Sequence, residues 1–185
     1  NFKVISINTL KEFEVAIKEM AVRGAPLIGA TAAFGMAAQM QRDPSNECIN
    51  ISWETLNSTR PTAINLKWAL DRCRIELLKV PEKDRAALSI QVAQDIANED
   101  VEMNRNIGIH GLEIIQDIAR KKLSSEPVRL LTHCNAGWLA TVDWGTATSP
   151  MFQAHENGVP IHVWVDETRP RNQGALTSWE LNNYG

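Results

Sequence analysis

Apolar residues recur at helical intervals through the first part of the chain. Thr9 and Glu12 form a capping-box pattern, and the apolar positions that follow every three or four residues predict a helix that ends near Val22. Proline is favoured in the first turn of a helix, so Pro26 predicts the start of a second helix. Small residues along that helix, such as Gly29, would allow a neighbouring backbone to approach closely.

Two longer helical segments follow. The apolar spacing predicts a third helix over residues 61–78, and it predicts helical structure over residues 83–122 with an interruption near Gly108 and Gly111. Cys73 lies in the third helix among leucine and isoleucine residues, which predicts a buried and unreactive thiol.

Glu99 and Asp100 are adjacent carboxylates within the last helical segment. We interpret them as a solvated helix face or as partners of Arg105. A carboxylate pair for acid–base chemistry is the alternative.

The pattern changes after the polar segment 124–127, which ends in proline and marks the best domain boundary. Residues 128–132 and 161–165 are β-rich runs, separated by about one helix of chain over residues 139–157. Strand, helix and strand at this separation form a βαβ unit with parallel strands. We therefore predict an α/β fold, in which a mainly helical N-terminal domain precedes an incomplete Rossmann-like parallel sheet. The predicted domains are residues 1–125 and 126–185.

Composition excludes several classes of function. The 185 residues are 44% hydrophobic and 22% charged, which is ordinary for a globular protein, and the net charge of -3 gives no basic surface for nucleic acid. No apolar run reaches the roughly 18–20 residues of a membrane span. Three widely spaced cysteines form neither a metal motif nor a disulfide framework. We expect a cytoplasmic protein that binds neither nucleic acid nor membrane.

The strongest candidate for chemistry is Cys134, in the turn that follows the first predicted strand. In open α/β sheets, ligands bind at the carboxyl ends of strands. The second strand is followed by residues 166–169, which should lie at the same edge as Cys134. A buried, inert cysteine remains the alternative. His133 adjoins the site, either as a hydrogen-bonded structural residue or as half of a Cys–His pair.

Two arginines precede predicted helix starts, Arg23 before Gly24-Ala25-Pro26 and Arg60 before Pro61. Helix N-termini bind anions through free N–H groups, and arginine adds a planar, bidentate donor. Together with the strand-end site, the two motifs favour a small phosphorylated ligand. Solvated arginines at turns are the alternative for each motif taken alone.

Six segments of the chain give it a resemblance to a known family. They lie within residues 22–29, 59–66, 99–111, 132–137, 166–170 and 173–181. In sequence and in order, these segments are similar to those of the methylthioribose-1-phosphate isomerases, which are related to the regulatory subunits of the translation factor that exchanges nucleotide on initiation factor 2.

The resemblance implies an aldose–ketose isomerase of methionine salvage, which converts 5-methylthioribose 1-phosphate to 5-methylthioribulose 1-phosphate. It implies a catalytic role for Cys134, either in proton transfer or in support of hydride movement. It implies no metal or organic cofactor, and it implies a homodimer. The implied substrate contacts are Arg23, Gly24, Ala25, Arg60, Asn135, Ala136, Gly137, Asp166 and Gln173.

Departures from the family pattern leave other functions open. The family's chains run on past residue 185, with an aspartate opposite the cysteine and an Asn-Lys pair. We therefore expect this chain to be a natural truncation, a piece of a cleaved protein, or a chain that completes its sheet with another chain. A noncatalytic regulatory subunit is one alternative. An isomerase of ribose 1,5-bisphosphate, with the same fold and chemistry, is another.

Overall fold

The computed structural model describes residues 3–123, 126–169 and 171–184. The elements in chain order are α1 (Leu10–Lys18), α2 (Ala25–Met40), α3 (Asn46–Asn57), α4 (Ile64–Leu78), α5 (Glu82–Ala119), β1 (Val128–His133), a short 3-10 helix (Trp138–Ala140), α6 (Ser149–Glu156), β2 (Ile161–Asp166) and α7 (Gln173–Tyr184). In this part of the chain, no helix is both long enough and apolar enough to cross a membrane.

The chain packs as two compact units, Asn1–Asn98 and Glu99–Gly185, and the division falls inside α5. The predicted domain boundary at residues 125 and 126 marks a different feature, the change from helical to strand-containing sequence, and it stays a prediction. The first unit is helical. Its core consists of fully buried apolar side chains from α1 to α4, namely Ile17, Met36, Met40, Ile49, Leu56, Leu66, Leu70 and Leu77.

Helix α1 begins as its capping box predicts. The Thr9 hydroxyl accepts a hydrogen bond from the Glu12 N–H, and the Glu12 carboxylate accepts one from the Thr9 N–H. The helix ends at Lys18, before the predicted end near Val22, because Met20 takes a left-handed backbone conformation with φ of 60°.

Helices α2 and α4 approach closely at a glycine. A Cβ atom added to Gly29 would lie 2.9 Å from the backbone oxygen of Asn65, so only glycine fits here without displacement. The close approach predicted for the small residues of α2 is therefore present at this position. Helix α3, which was not predicted from the apolar spacing, begins at a Ser45 cap whose hydroxyl accepts from the Cys48 N–H at 3.1 Å.

The predicted interruption of the long helical segment is wrong, because α5 continues through Gly108 and Gly111. These glycines allow α6 to pack against it. A Cβ atom at Gly108 would lie 2.1 Å from the Gln153 side-chain nitrogen, and one at Gly111 would lie 2.5 Å from the Pro150 ring. Packing against α6 therefore explains why glycine occupies two interior helical positions.

In the second unit β1 and β2 form a parallel two-stranded sheet, with Val128 opposite Ile161 and His133 opposite Asp166. The predicted α/β fold, a helical part followed by a small parallel sheet, is confirmed. One sheet face packs on a small core of Ile115, Val128 and Ala154.

The connection between the strands is less helical than predicted. Within residues 139–157 only the end of the 3-10 helix and α6 are helical, because Trp144 and Gly145 have φ of 67° and 74°. Helix α7, not predicted from the pattern, follows β2. It packs closely on the end of that strand, since a Cβ atom at Gly174 would lie 2.6 Å from the Asp166 backbone oxygen.

Candidate active site

Cys134 lies directly after β1 and is half-buried. Its backbone φ is 69°, in the left-handed region that non-glycine residues rarely adopt. Its N–H donates to the Asp166 backbone oxygen at 3.4 Å, and its carbonyl oxygen accepts from the Thr177 hydroxyl at 2.9 Å. A conformation of this kind costs about 1–3 kcal/mol and persists only where surrounding contacts impose it.

The turn after Cys134 is held by two helices of the second unit. The Ala136 N–H donates to the Thr177 hydroxyl of α7 at 3.0 Å, and the Ala136 carbonyl accepts from the Thr148 hydroxyl, just before α6, at 3.1 Å. Asn135 differs from its neighbours because both polar side-chain atoms are buried without a hydrogen-bond partner among the described residues. Its amide could therefore bind a ligand that offers both a donor and an acceptor.

Gly137 completes the turn, and a buried carboxylate packs against it. Glu180 of α7 is fully buried, and its Oε1 accepts from the Leu139 N–H at 2.6 Å. A Cβ atom at Gly137 would lie 1.5 Å from Glu180 Oε2, so the carboxylate occupies the space of a missing side chain. Burial raises the pKa of Glu180, and the hydrogen bond from Leu139 opposes this shift.

Asp166 lies at the same sheet edge as Cys134, as the βαβ topology predicts. Its Oδ2 is 3.0 Å from Nδ1 of His133 on the neighbouring strand, and both side chains are exposed. No local sequence pattern pairs these two residues. The parallel register, which places position 133 opposite position 166, is the signal that could have done so.

The N-terminus of α7 forms the next part of this edge and contains Gln173. The Gln173 N–H donates to the Thr168 hydroxyl at 3.3 Å. The Glu167 carboxylate accepts from the N–H groups of Gly174 and Ala175 at 2.7 and 3.0 Å. Desolvation acts to raise the pKa of Glu167, but hydrogen bonds from backbone N–H groups hold that pKa below its ordinary value of 4.5.

Asp100 is not on a solvated helix face, and the sequence interpretation of this residue is wrong. Its Oδ2 accepts from the Val142 N–H at 2.8 Å, and its Oδ1 accepts from the buried Asn104 amide at 3.0 Å. Burial raises its pKa against these hydrogen bonds. Arg105, the expected partner, lies 3.6 Å from Glu102 instead. Asp100 therefore fixes the loop that follows the Cys134 turn.

The predicted phosphate-binding residues belong to the first unit. Gly24 is the N-cap of α2, with φ of 90°, and Ala25 is the first residue of that helix, after Arg23. Arg60 lies in the turn before α4, and its Nη1 is buried without a hydrogen-bond partner among the described residues. An unpaired, buried guanidinium nitrogen is available to bind an anion.

The structure thus divides the predicted site residues between the two units. Cys134, the turn 135–137, Asp166 and Gln173 gather around the carboxyl edge of the sheet. Arg23, Gly24, Ala25 and Arg60 lie at the starts of α2 and α4, which pack against each other. No group of three or more His, Cys, Asp or Glu side chains within the described ranges could hold a metal ion. Cys73 is buried, and desolvation raises its pKa to about 12, which fits the inert thiol predicted for it.

Comparison with known proteins gives matches along the whole chain. Methylthioribose-1-phosphate isomerases from Sinorhizobium medicae and from Escherichia coli O45:K1 are 57% and 53% identical over 185 and 184 residues. These matches cover 100% of this chain, but only 51% and 50% of those proteins. The chain therefore spans about half the length of the curated relatives it matches.

Solved structures show the same fold. The crystal structure of 5-methylthioribose 1-phosphate isomerase from Pyrococcus horikoshii matches with a TM-score of 0.86 and 40% identity, over 100% of this chain and 52% of that one. A structure described as translation initiation factor eIF-2B, subunit delta, from A. fulgidus matches with a TM-score of 0.84 and 39% identity, over 99% of this chain and 54% of that one. The profile of the Initiation factor 2 subunit family matches residues 21–185. The chain belongs to this family.

Proposed function

We propose that this chain carries the cysteine-bearing part of a sugar-phosphate isomerase that converts 5-methylthioribose 1-phosphate to 5-methylthioribulose 1-phosphate. The observation that carries the proposal is the strained backbone of Cys134 at the carboxyl edge of the sheet. Strained residues in open α/β proteins gather at sites of function, and this edge is where ligands bind. Relatives that match the chain from end to end bear the name of this enzyme.

The reaction needs a group that moves hydrogen from C2 to C1 of the opened sugar while the phosphate stays on C1. The Cys134 thiol is the proposed group, either as an acid–base catalyst or in support of a hydride shift. Proton transfer by a positioned side chain contributes roughly 100- to 10,000-fold to a rate. We assign Asp166, Gln173 and the turn 135–137 to the sugar, since the unpaired Asn135 amide can both donate and accept.

The phosphate is assigned to the starts of α2 and α4. Arg60 supports this assignment because its Nη1 is buried and unpartnered among the described residues, and such a nitrogen gains a charge-assisted hydrogen bond when an anion arrives. Gly24, with a positive φ, and Ala25 bring backbone N–H groups to the first turn of α2 beside Arg23. Arg23, Gly24, Ala25 and Arg60 are the proposed phosphate contacts.

A noncatalytic regulatory subunit is the second candidate. The A. fulgidus structure, described as a subunit of a translation initiation factor, is nearly as similar in fold and identity as the P. horikoshii isomerase. A regulatory subunit has no need of a thiol held in a strained conformation, so Cys134 favours the enzyme.

Turnover of 5-methylthioribose 1-phosphate by the purified chain tests the proposal, with Cys134→Ser as the variant and Cys48→Ser as the matched control. We expect Cys134→Ser to lower kcat by roughly 100- to 10,000-fold, because the hydroxyl is a far weaker acid than the thiol. Cys48, in α3 of the first unit, should be replaceable without loss. Turnover of ribose 1,5-bisphosphate, measured in parallel, tests whether that sugar phosphate is the substrate instead.

Two results would contradict the proposed isomerase activity or the role of Cys134 in it. The first is an inactive chain that stays inactive when fused to the half of the S. medicae relative that it does not match. That result would favour the regulatory subunit. The second is full activity of Cys134→Ser, which would assign the hydrogen transfer to another group.

We also propose a cytoplasmic homodimer. The cysteines of the described residues are free, as expected in a reducing compartment. Helix α4 exposes the apolar side chains of Ile64, Trp68 and Ile75, which are 81%, 48% and 55% exposed. Apolar side chains recurring at helical spacing on an exposed surface are typical of association sites. Sedimentation equilibrium of the chain over a range of concentrations measures the association.

A further inference from the structure

Helix α7 contacts the Cys134 turn through two side chains one helical turn apart. Thr177 and Glu180 lie on the same face of α7 and are fully buried. The Thr177 hydroxyl donates to the Cys134 carbonyl at 2.9 Å and accepts from the Ala136 N–H at 3.0 Å. One hydroxyl therefore fixes the backbone on both sides of Asn135.

Glu180 fixes the far end of the same turn. Its Oε1 accepts from the Leu139 N–H at 2.6 Å, and its Oε2 is buried against Gly137 without a hydrogen-bond partner among the described residues. A buried carboxylate with one unsatisfied oxygen is unfavourable for stability alone. The contacts of Glu180 with Gly137 and Leu139 determine where residues 137–139 lie relative to α7.

The backbone of Cys134 needs such contacts. With φ of 69° it occupies a conformation that a cysteine leaves unless its surroundings prevent it. Its own N–H makes a long hydrogen bond of 3.4 Å to Asp166, whereas its carbonyl bond to Thr177 is 0.5 Å shorter at 2.9 Å. The Thr177 hydroxyl is therefore better placed than the Asp166 backbone oxygen to hold Cys134 in its strained conformation.

We propose that Thr177 and Glu180 are positioning residues, which hold Cys134 in its strained conformation and so set where its thiol points. Neither residue has a role in the isomerase proposed above. The kinetic part of the inference rests on that proposed function, whereas the conformational part does not.

Matched substitutions at Thr177 distinguish the effect of its hydroxyl from the effect of its side-chain shape. Thr177→Val keeps the shape and removes the hydroxyl, whereas Thr177→Ser keeps the hydroxyl. Ser178→Ala is the control, since it removes a neighbouring α7 hydroxyl that bonds only to Asn182 among the contacts of the described residues. Glu180→Met and Glu180→Gln form a second pair, because Gln retains an acceptor for the Leu139 N–H.

The first readout does not depend on turnover. Iodoacetamide labelling of each cysteine is followed by peptide mass spectrometry, in which buried Cys73 reports opening of the first unit and Cys48 reports reagent activity. Amide hydrogen exchange of β1 reports opening of the second unit, which contains Cys134. We expect Thr177→Val to speed labelling of Cys134 roughly tenfold, the effect of one lost hydrogen bond on a conformational equilibrium, with Cys73 unchanged. Thr177→Ser, Ser178→Ala and Glu180→Gln should match the wild type, and Glu180→Met should resemble Thr177→Val.

The second readout is turnover. A thiol displaced by about 1 Å can cost roughly 100-fold, so Thr177→Val should lower kcat by about that factor with KM little changed. Equal Cys134 labelling in Thr177→Val and Thr177→Ser would overturn the inference, as would parallel acceleration of Cys134 labelling and of amide exchange in β1. If the wild type shows no turnover, the proposed function fails, and the labelling still decides the inference.

Discussion

Cys134 is one of four non-glycine residues with a positive φ among those described, and Trp144 in the following loop is another. Two of these four residues therefore lie in the connection between β1 and α6. Buried Glu180 and half-buried Asp100 accept backbone N–H groups of this connection, Glu180 from Leu139 and Asp100 from Val142. At the scale of single residues, the site is a cysteine held in place by neighbours that are themselves costly to bury.

We expect Glu180→Gln to change how the free energy of unfolding depends on pH. Burial raises the pKa of Glu180 above its ordinary value of 4.5, so the folded chain binds this proton more tightly than the unfolded chain. The stability that Glu180 contributes is then fully present below pH 4.5 and is lost as the pH rises through the raised pKa. Glutamine has no proton to lose.

Urea unfolding at a series of pH values measures this effect. The unfolding free energy of Glu180→Gln minus that of the wild type should increase from about pH 4 to about pH 7. A difference that stays constant across this range would show that the carboxyl titrates alike in both states. A decrease would show that the hydrogen bond from Leu139 outweighs burial.

At the scale of elements, glycines allow helices and strands to approach closely. Gly29 admits the Asn65 backbone of α4 against α2, and Gly174 admits the end of β2 against α7. Gly108 and Gly111 admit α6 against α5. From the sequence alone, Gly108 and Gly111 predict a break in the helix, because glycine is unfavourable within helices and the partner helix is far along the chain.

Gly111→Ala should destabilise the protein, even though alanine favours helix by about 1 kcal/mol. The added Cβ atom would lie 2.5 Å from the Pro150 ring, which cannot rotate away. Overpacking of this kind costs about 1–3 kcal/mol. Asn106→Ala, at an exposed position of the same helix, is the control and should be neutral or stabilising. Urea unfolding compares the two, and an increase in stability for Gly111→Ala would contradict the packing argument.

At the scale of the whole molecule, apolar side chains remain exposed in both units. Leu131 and Trp164, opposite each other on β1 and β2, are 73% and 59% exposed, and they leave one face of the sheet largely open to solvent. In the first unit Ile64 and Ile75 of α4 are exposed. Exposed apolar surface of this extent indicates association with other surfaces.

The proposed homodimer gives a test at this scale. We expect the chain to sediment as a dimer, and the double variant Ile64→Lys, Ile75→Lys to sediment as a monomer, because two charges would be buried without partners at the interface. Ile90→Lys is the matched control, as Ile90 is 50% exposed on α5 of the same unit. A dimer that persists in the double variant would place the interface elsewhere, and a monomeric wild type would contradict the homodimer.

Local sequence patterns are enough to specify the α/β class, the capped start of α1, both strands and the position of Cys134 after the first of them. The elements depend on residues close in the chain, so local periodicity predicts them. The shared edge of the two strands follows from the fixed handedness of a βαβ connection. Long-range packing is needed to explain why α5 continues through its glycines, why Asp100 bonds to the Val142 N–H, and why Thr177 and Glu180 contact the Cys134 turn. The hydrogen bonds of Asp100, Thr177 and Glu180 join residues 41 to 43 positions apart, and no local pattern specifies which side chain will fill the space beside a turn.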